Sequence, residues 1–497
     1  LPDRIIRIED LMLQSRVRFG TSGARGLAED MTDEVCYAYT VAFIQYLEKT
    51  GQLEGKGKIA IGGDLRPSTA RIMKAVAMAI SDMSYTPENC GQLPSPAIAY
   101  YGFMKKVPTV MVTGSHIPAD RNGIKYTKKD GEILKDDEVA IRAQQITMPS
   151  GLFDGEGMLS ERFEPPAQTT EATDLYIKRY LDTFPDSPLK GKKIGVYQHS
   201  AVGREIVIKI LKGLGAEVIP LGISDTFIPV DTEAIRKEDI EIAKQWAERY
   251  HFDCIISTDG DGDRPLIGDE RGKWMRGDVA GILCSAYLKA DAVVTPISSN
   301  TAVERCGLFK KVYRTRIGSP YVIEGMQRAT KEGAQRVVGY EANGGFLLAS
   351  NIPLGNKVLN ALPTRDAMIL IIAILIMSEE KGKKLSHLLE ELPQRFTASS
   401  LLKEFPAEKS RTKLLEIYPK DGRKGFRILN GIFERDFGRV LSVDTTDGLR
   451  IYFESGEILH LRPSGNAPEF RCYTEADTEE RAIKMKDISL NIMEGWR

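Results

Sequence analysis

Short runs of β-branched and apolar residues recur along this chain. Each is closed by a glycine or proline turn and followed by a stretch with helical spacing. Residues 58–61 form such a run, meet a turn at Gly62-Gly63-Asp64, and lead into a predicted helix over 67–81. Residues 110–112 form another and end at Thr113-Gly114-Ser115. The rhythm continues with a strand at 193–197, a helix over 203–214 and a strand at 217–220, then apolar strands at 254–257, 292–295 and 336–339. Strands alternating with helices predict α/β domains with parallel or mixed sheets. No close sequence repeat is present, although the successive units are compatible with diverged structural repeats.

Towards the C-terminal end the pattern changes. Strands at 440–443, 449–453 and 457–462 follow one another, with hairpin turns at Asp447-Gly448 and Ser455-Gly456, and a charged helix runs over 478–493. The expected fold class is therefore α/β, with three similar α/β mixed-sheet domains plus a C-terminal α+β domain. The length of 497 residues fits three or four domains. Pro165-Pro166, within a polar segment at 164–173, reads as a linker. The expected domains are 1–165, 166–275, 276–390 and 391–497.

Composition narrows the function. Apolar residues make up 42% and charged residues 28%, as in an ordinary soluble globular protein. The 68 basic and 69 acidic side chains give no basic excess, so nucleic acid is not an expected partner. The most apolar run, 367–377, is too short for the about 20 residues of a membrane-spanning helix and predicts a buried helix instead. Residues 1–10 are charged and lack the apolar core of a secretory leader. Cys36, Cys90, Cys254, Cys284, Cys306 and Cys472 are scattered without metal-site spacing, which suits free thiols in a reducing compartment. The expectation is a soluble cytoplasmic protein without a membrane partner.

Five polar loops carry candidate chemistry. Thr113-Gly114-Ser115-His116-Ile117-Pro118, followed by Asn122-Gly123-Ile124-Lys125, ends an apolar strand. Such a loop exposes a hydroxyl and can present backbone N–H groups to an anion. His116 and Lys125 are candidate proton handlers or phosphate partners. In Thr258-Asp259-Gly260-Asp261-Gly262-Asp263-Arg264, three aspartates alternate with two glycines after another apolar strand. Their hard oxygen ligands favour magnesium. A calcium EF-hand would place Glu270 at its twelfth position, but the strand-like Arg264-Pro265-Leu266-Ile267 fits that loop poorly. Gly339-Tyr340-Glu341-Ala342-Asn343-Gly344-Gly345-Phe346 offers Glu341 and Asn343 on one face of an extended loop, as acceptors and donors for a sugar diol. Arg462-Pro463-Ser464-Gly465-Asn466-Ala467-Pro468, with Arg471 beyond it, makes a phosphate cradle. Phe19-Gly20-Thr21-Ser22-Gly23-Ala24-Arg25-Gly26 suits an anion-facing loop.

These loops, in this order, resemble those of the α-D-phosphohexomutase superfamily, whose members include phosphomannomutase, phosphoglucomutase and phosphoglucosamine mutase. The resemblance runs from Phe19 to about Glu475. It implies four domains around a central cleft, each supplying a loop. It further implies that Ser115 is the phosphoserine, that Asp259, Asp261, Asp263 and a phosphoserine oxygen bind Mg2+, and that Arg25, His116, Lys125 and Arg264 flank the transferring phosphoryl group. Glu341 and Asn343 would contact sugar hydroxyls. Arg462, Ser464, Gly465 and Asn466 would hold the non-reacting phosphate, with Arg471 as a further substrate contact. The Arg316-Ile317-Gly318-Ser319 segment would supply another substrate loop through Arg316 and Gly318. The sequence departs from the family pattern where Asn343 stands for a common serine, Gly345 for a histidine and Asn466 for a threonine.

The implied activity is reversible interconversion of a hexose 6-phosphate and its 1-phosphate through a hexose 1,6-bisphosphate. Mannose phosphates are the leading substrates and glucose phosphates possible further ones. The alternatives are a phosphoglucosamine mutase, a magnesium-dependent sugar phosphatase, or a phosphosugar sensor that binds without exchange.

Overall fold

Four sheets of four or more strands succeed one another along the chain in the computed structural model, which describes residues 3–20, 23–53, 55, 57–161, 163–464 and 468–497. The first three share one strand order. In the first, Lys58–Gly63 is central, Thr86–Gln92 and Thr109–Val112 flank it in parallel, and Arg121–Lys128 turns back antiparallel beside the third strand. Gly23–Leu27 and Arg18–Gly20 extend this sheet at one edge. The second sheet repeats the order with Lys193–His199, Glu217–Ile223, Cys254–Thr258 and Pro265–Gly268. The third does so with Ala292–Pro296, Lys311–Thr315, Val337–Tyr340 and Phe346–Leu348. The rhythm in the sequence is thus a repeat of topology.

This topology positions the site. In each repeat the turn from the third, parallel strand into the fourth, antiparallel strand falls at the same place. Those turns are residues 113–120, 259–264 and 341–345, the loops of Ser115, of the aspartates and of Glu341. Each third strand is buried along its whole length. Its continuous apolar face pins the strand, and the strand end delivers the loop.

The fourth sheet has five antiparallel strands in the order Phe396–Lys403, Glu469–Ala476, Ile458–Pro463, Leu449–Phe453, Val440–Asp444. The three expected strands lie at the sheet's middle and one edge. Phe396–Lys403 and Glu469–Ala476 complete it, and helices Ala407–Ile417, Gly422–Phe437 and Glu479–Glu494 accompany it.

The apolar run at 367–377 is helical, within Ala367–Lys381, and residues 367–378 are all buried. No helix among the described residues is long and apolar enough to cross a membrane. The segment read as a linker ends earlier than expected. Helix Glu171–Thr183 begins inside it and buries Tyr176 and Tyr180 at helical spacing. Residues before that helix are tied to the first sheet by Thr169 N–H to Asn89 O at 2.8 Å and Asn89 Nδ2 to Pro166 O at 3.0 Å.

Candidate active site

The serine loop is built on two residues that carry no motif, Asp64 and Arg66. Asp64 follows the central strand of the first sheet. Its carboxylate accepts from Thr69 Oγ1 at 2.7 Å, Thr113 Oγ1 at 2.8 Å and the Arg66 amide at 3.0 Å. The Arg66 guanidinium donates to Asp64 at 3.1 Å and to the carbonyls of Ser115 (2.9 Å), Ile117 (2.6 Å), Pro118 (2.5 Å) and Arg121 (2.9 Å). Its other side lies 4.1 Å from the ring centroid of Phe227, which follows the second strand of the second sheet. So clamped, Ser115 adopts a left-handed backbone, φ 55°, and its amide donates to Thr113 Oγ1 at 2.8 Å. Such a conformation in a β-rich turn costs energy that the clamp offsets.

The result is a contact between repeats. Ser115 Oγ donates to Asp259 Oδ2 at 2.6 Å and lies 3.4 Å from His116 Nδ1. A Cβ on Gly260 would lie 2.7 Å from the Ser115 carbonyl oxygen, so this glycine lets the two loops close, and Gly262 supplies a positive φ of 73° for the turn. Carboxylate oxygens of the buried Asp259, Asp261 and Asp263 lie within 4.8 Å of one another.

Cations from other elements surround the cluster. Lys125 Nζ donates to Asp261 at 2.6 Å and Asp263 at 2.9 Å. In the register, Gly23 faces Lys125 and Arg25 faces Gly123, so Arg25 and Lys125 share one face of the sheet. Ser95 donates to Asp261 at 2.6 Å. Arg365 donates to Asp263 at 3.1 Å and to Glu341 at 3.3 Å. Arg264 donates to His116 Nδ1 at 2.8 Å.

These neighbours set the ionisation. Burial and the adjacent Asp261 and Asp263 raise the Asp259 carboxyl well above its ordinary value. Burial opposes ionisation of Asp261 too, but the charge and hydrogen bond of Lys125 hold it below the usual carboxylate range. For Asp263 the cost of burial is likewise overcome, first by Arg365. Burial and then Arg264 push His116 down to about 3, so its imidazole is neutral at pH 7.

The donor set fits a hard divalent cation. All three groups are carboxylates, and Asp261 Oδ1 and Asp263 Oδ1 are buried without a hydrogen-bond partner among the described residues. Two such orphaned oxygens beside a third carboxylate are what a magnesium site needs from a protein.

The Glu341 loop is tighter than the extended arrangement expected. Glu341 N–H donates to Gly345 O at 3.1 Å, Gly344 N–H to Glu341 O at 2.9 Å, and Gly345 N–H to Asn343 Oδ1 at 2.9 Å. Asn343 therefore spends its side-chain oxygen within the turn, while Glu341 faces Arg365.

On the fourth sheet, Arg462 and Arg471 are cross-strand partners. Arg462 Nε lies 3.0 Å from Asp447 Oδ2, Arg471 donates to Glu469 at 3.2 Å, and Ser464 is buried. Gly465 and Asn466, like Thr21 and Ser22 of the first loop, lie outside the described residues. Arg316 is exposed, and its Nε donates to Thr446 O at 3.1 Å; Ile317 N–H donates to Asp447 Oδ2 at 3.0 Å. Gly318 precedes helix Ser319–Lys331 with φ 132°. The Arg316 segment thus meets the fourth sheet at the same Asp447 that pairs with Arg462.

Comparison with known proteins decides the family. The phosphoglucomutase/phosphomannomutase models match in sequence order: alpha/beta/alpha domain I over residues 16–148, domain II over 174–272, domain III over 276–396 and the C-terminal domain over 395–489. The chain belongs to the phosphoglucomutase/phosphomannomutase family. A phosphomannomutase of Salmonella muenchen is 42% identical over 482 residues, 97% of this chain and 96% of the relative. One of Sinorhizobium fredii is 44% identical over 467 residues, 94% and 96% of the two. A phosphoglucosamine mutase of Symbiobacterium thermophilum is 28% identical over 76% of this chain and 82% of the relative. Among solved structures, a phosphoglucomutase/phosphomannomutase family protein of Burkholderia thailandensis shares the fold with a TM-score of 0.72 at 17% identity, covering 96% of each chain. Aspergillus fumigatus N-acetylphosphoglucosamine mutase, in complex with GlcNAc-6P and magnesium, does so at 0.59 and 12% identity, covering 99% of each.

Proposed function

We propose that this chain interconverts mannose 6-phosphate and mannose 1-phosphate, and accepts glucose phosphates as further substrates. The observation that carries the reading is the Ser115 hydroxyl, 2.6 Å from Asp259 within a three-aspartate cluster. The identity to phosphomannomutases, 42–44% over nearly the whole chain, favours mannose over glucosamine phosphates.

In this reading phosphorylated Ser115 gives its phosphoryl group to the free sugar hydroxyl. The Ser115 O–P bond breaks, a sugar O–P bond forms, and the hydroxyl proton passes to the neutral His116 imidazole, while Lys125 stays charged beside Asp261 and Asp263. The hexose 1,6-bisphosphate so formed reorients and returns its other phosphate to Ser115. Arg25 and Arg264 flank the moving group, and phosphoryl transfer depends chiefly on such positioning and charge. A magnesium ion held by Asp259, Asp261, Asp263 and a phosphoserine oxygen would neutralise charge on the phosphoryl oxygens. Glu341 would contact the sugar hydroxyls through its carboxylate, and Asn343 through its Nδ2, since its Oδ1 is held by the Gly345 amide. Arg462, Ser464, Gly465, Asn466 and Arg471 hold the distal phosphate, and Arg316 and Gly318 complete the substrate loops. The domains carrying these loops are 1–165, 166–275, 276–390 and 391–497.

The test is Ser115→Ala with labelled hexose 1,6-bisphosphate. The variant should take up no label and lose nearly all turnover. Normal turnover would sink the nucleophile assignment, and release of free phosphate in place of label exchange by the wild-type chain would make it a phosphatase.

A further inference from the structure

Arg365 enters the site from outside all five motif loops. It directly precedes Asp366, the N-cap of the buried helix Ala367–Lys381. The backbone there is fixed on several sides. Asp366 N–H donates to Phe346 O at 2.8 Å, while its carboxylate accepts from Met368 N–H at 3.0 Å, from Tyr176 at 2.6 Å and from Tyr180. From this anchor the buried guanidinium spans two loops: Nε and a terminal nitrogen lie 3.1 and 3.0 Å from Asp263 Oδ2, and the other terminal nitrogen donates to Glu341 Oε2 at 3.3 Å. A planar fork suits such bridging; a lysine cannot reproduce it.

Gly345 is the complement of this arginine. Gly344 needs glycine for its backbone, φ 86°, but Gly345 is not among the residues with positive φ. What excludes a side chain at 345 is space: a Cβ would lie 2.5 Å from Arg365 Cδ and 2.8 Å from Cγ. The departure Gly345 and the presence of Arg365 are therefore one feature, an arginine from the helix start filling the place that a side chain of the sugar loop would take.

We propose that Arg365 is a positioning residue for the sugar, fixing the Glu341 carboxylate in one orientation and joining the hydroxyl-binding loop to the aspartate loop through Asp263. The proposal rests on the mutase reading for the identity of the ligand. A buried bridge of this kind is weak as a source of stability but strong as a constraint on geometry, because loss of Arg365 would strip the buried Glu341 carboxylate of this cation, while Asp263 keeps Lys125 at 2.9 Å.

The experiment is calorimetric titration of the full chain with mannose 1-phosphate and glucose 1-phosphate. Arg365→Ala, Glu341→Gln and Gly345→Ala should each weaken binding about tenfold, the scale of one hydrogen bond to a charged group. Because Arg365 acts through Glu341, R365A/E341Q should bind about as well as E341Q alone. Likewise G345A should cost nothing further in the R365A background, where the crowded methylenes are gone. Arg365→Lys keeps the charge and safeguards folding, and should still lose affinity for want of the fork. Multiplicative losses in the double variants, wild-type affinity in R365K, or a lowered melting temperature with unchanged affinity would each overturn the proposal. Binding is the readout so that failure of the mutase reading, seen as no label exchange by the wild-type chain, is told apart from failure of this one.

Discussion

Arg66 offers the sharpest test of how the serine loop is held. Replacing it with alanine removes five hydrogen bonds at once: one to Asp64 and four to the carbonyls of Ser115, Ile117, Pro118 and Arg121. Adding a value for each bond overshoots, since carbonyls freed by loop opening regain water. The cost of breaking a buried ion pair, about 3–5 kcal/mol, is the better measure. Asp64 keeps its bonds from Thr69 and Thr113, which limits the damage to its own side of the pair. If the cost falls on local opening of residues 113–121, the opening equilibrium rises roughly a hundredfold to several thousandfold, at tenfold per 1.4 kcal/mol. Hydrogen exchange of the loop amides reads this directly, and the Ile117 amide, which donates to Gly114 O at 3.2 Å, is a suitable reporter. Phosphorylation of Ser115 by labelled bisphosphate should slow in parallel, because the open loop no longer holds Oγ against Asp259. Arg66→Lys should recover only part of both. An R66A chain with unchanged loop exchange and an unchanged rate of labelling would refute the idea that this arginine organises the nucleophile.

Three further outcomes are expected. Asp261→Asn should weaken the magnesium dependence of turnover severely, since it alters one of the two carboxylates bearing an orphaned oxygen; an unshifted metal titration would reject the site. Arg462→Ala should raise KM for hexose phosphates far more than it lowers kcat, with folding intact by circular dichroism; an unaltered KM argues against a distal-phosphate role. Acid should destabilise the fold through His199 and His460, both buried and each pushed to about 4 chiefly by burial. Each donates from Nε2, to Thr258 O at 2.8 Å and Asp447 O at 2.6 Å, and leaves Nδ1 buried without a partner among the described residues, which favours a neutral ring. Between the unfolded value of about 6.5 and about 4 the unfolded chain binds the extra protons, so stability is full above that window and falls by a few kcal/mol as pH drops through it. Melting temperatures of H199Q and H460Q that fall just as steeply with acid as wild type would contradict this.

The parts of the molecule legible in the sequence are those whose signal is local. A buried third strand ending in a glycine-bounded polar turn is visible at 113–120, 259–264 and 341–345 because hydrophobic run, breaker and chemistry are contiguous. Phe396–Lys403 was not legible, since it is an edge strand of mostly half-buried residues with little alternation. Glu469–Ala476 does alternate at its start, burying Phe470, Cys472 and Thr474, but Arg471 between them reads as part of the phosphate cradle. Helix Gly422–Phe437 carries Leu429, Phe433 and Phe437 at helical spacing, hidden by the low propensity of its glycines. In the site, Asp64, Arg66, Ser95 and Arg365 escaped for a different reason. Their partners in the serine and aspartate loops lie from about fifty to more than a hundred residues away, and a lone arginine after a turn has no local signature.

Those distant residues also explain the charge balance at Ser115. Asp259, Asp261 and Asp263 alone would make a purely acidic pocket hostile to phosphate. Lys125 and Arg365 offset Asp261 and Asp263, whereas the Asp259 carboxyl is raised, first by burial and then by its two neighbouring aspartates. Arg25 is lowered to about 10, first by burial and then by the neighbouring Arg264 and Arg365. In the proposed reading, a divalent cation held by the aspartates would relieve the crowding of their carboxylates, and a phosphoryl group on Ser115 would relieve the crowding of the arginines. The two demands are complementary, so a site that carries a phosphoryl group beside a metal has a use for both sets of charges.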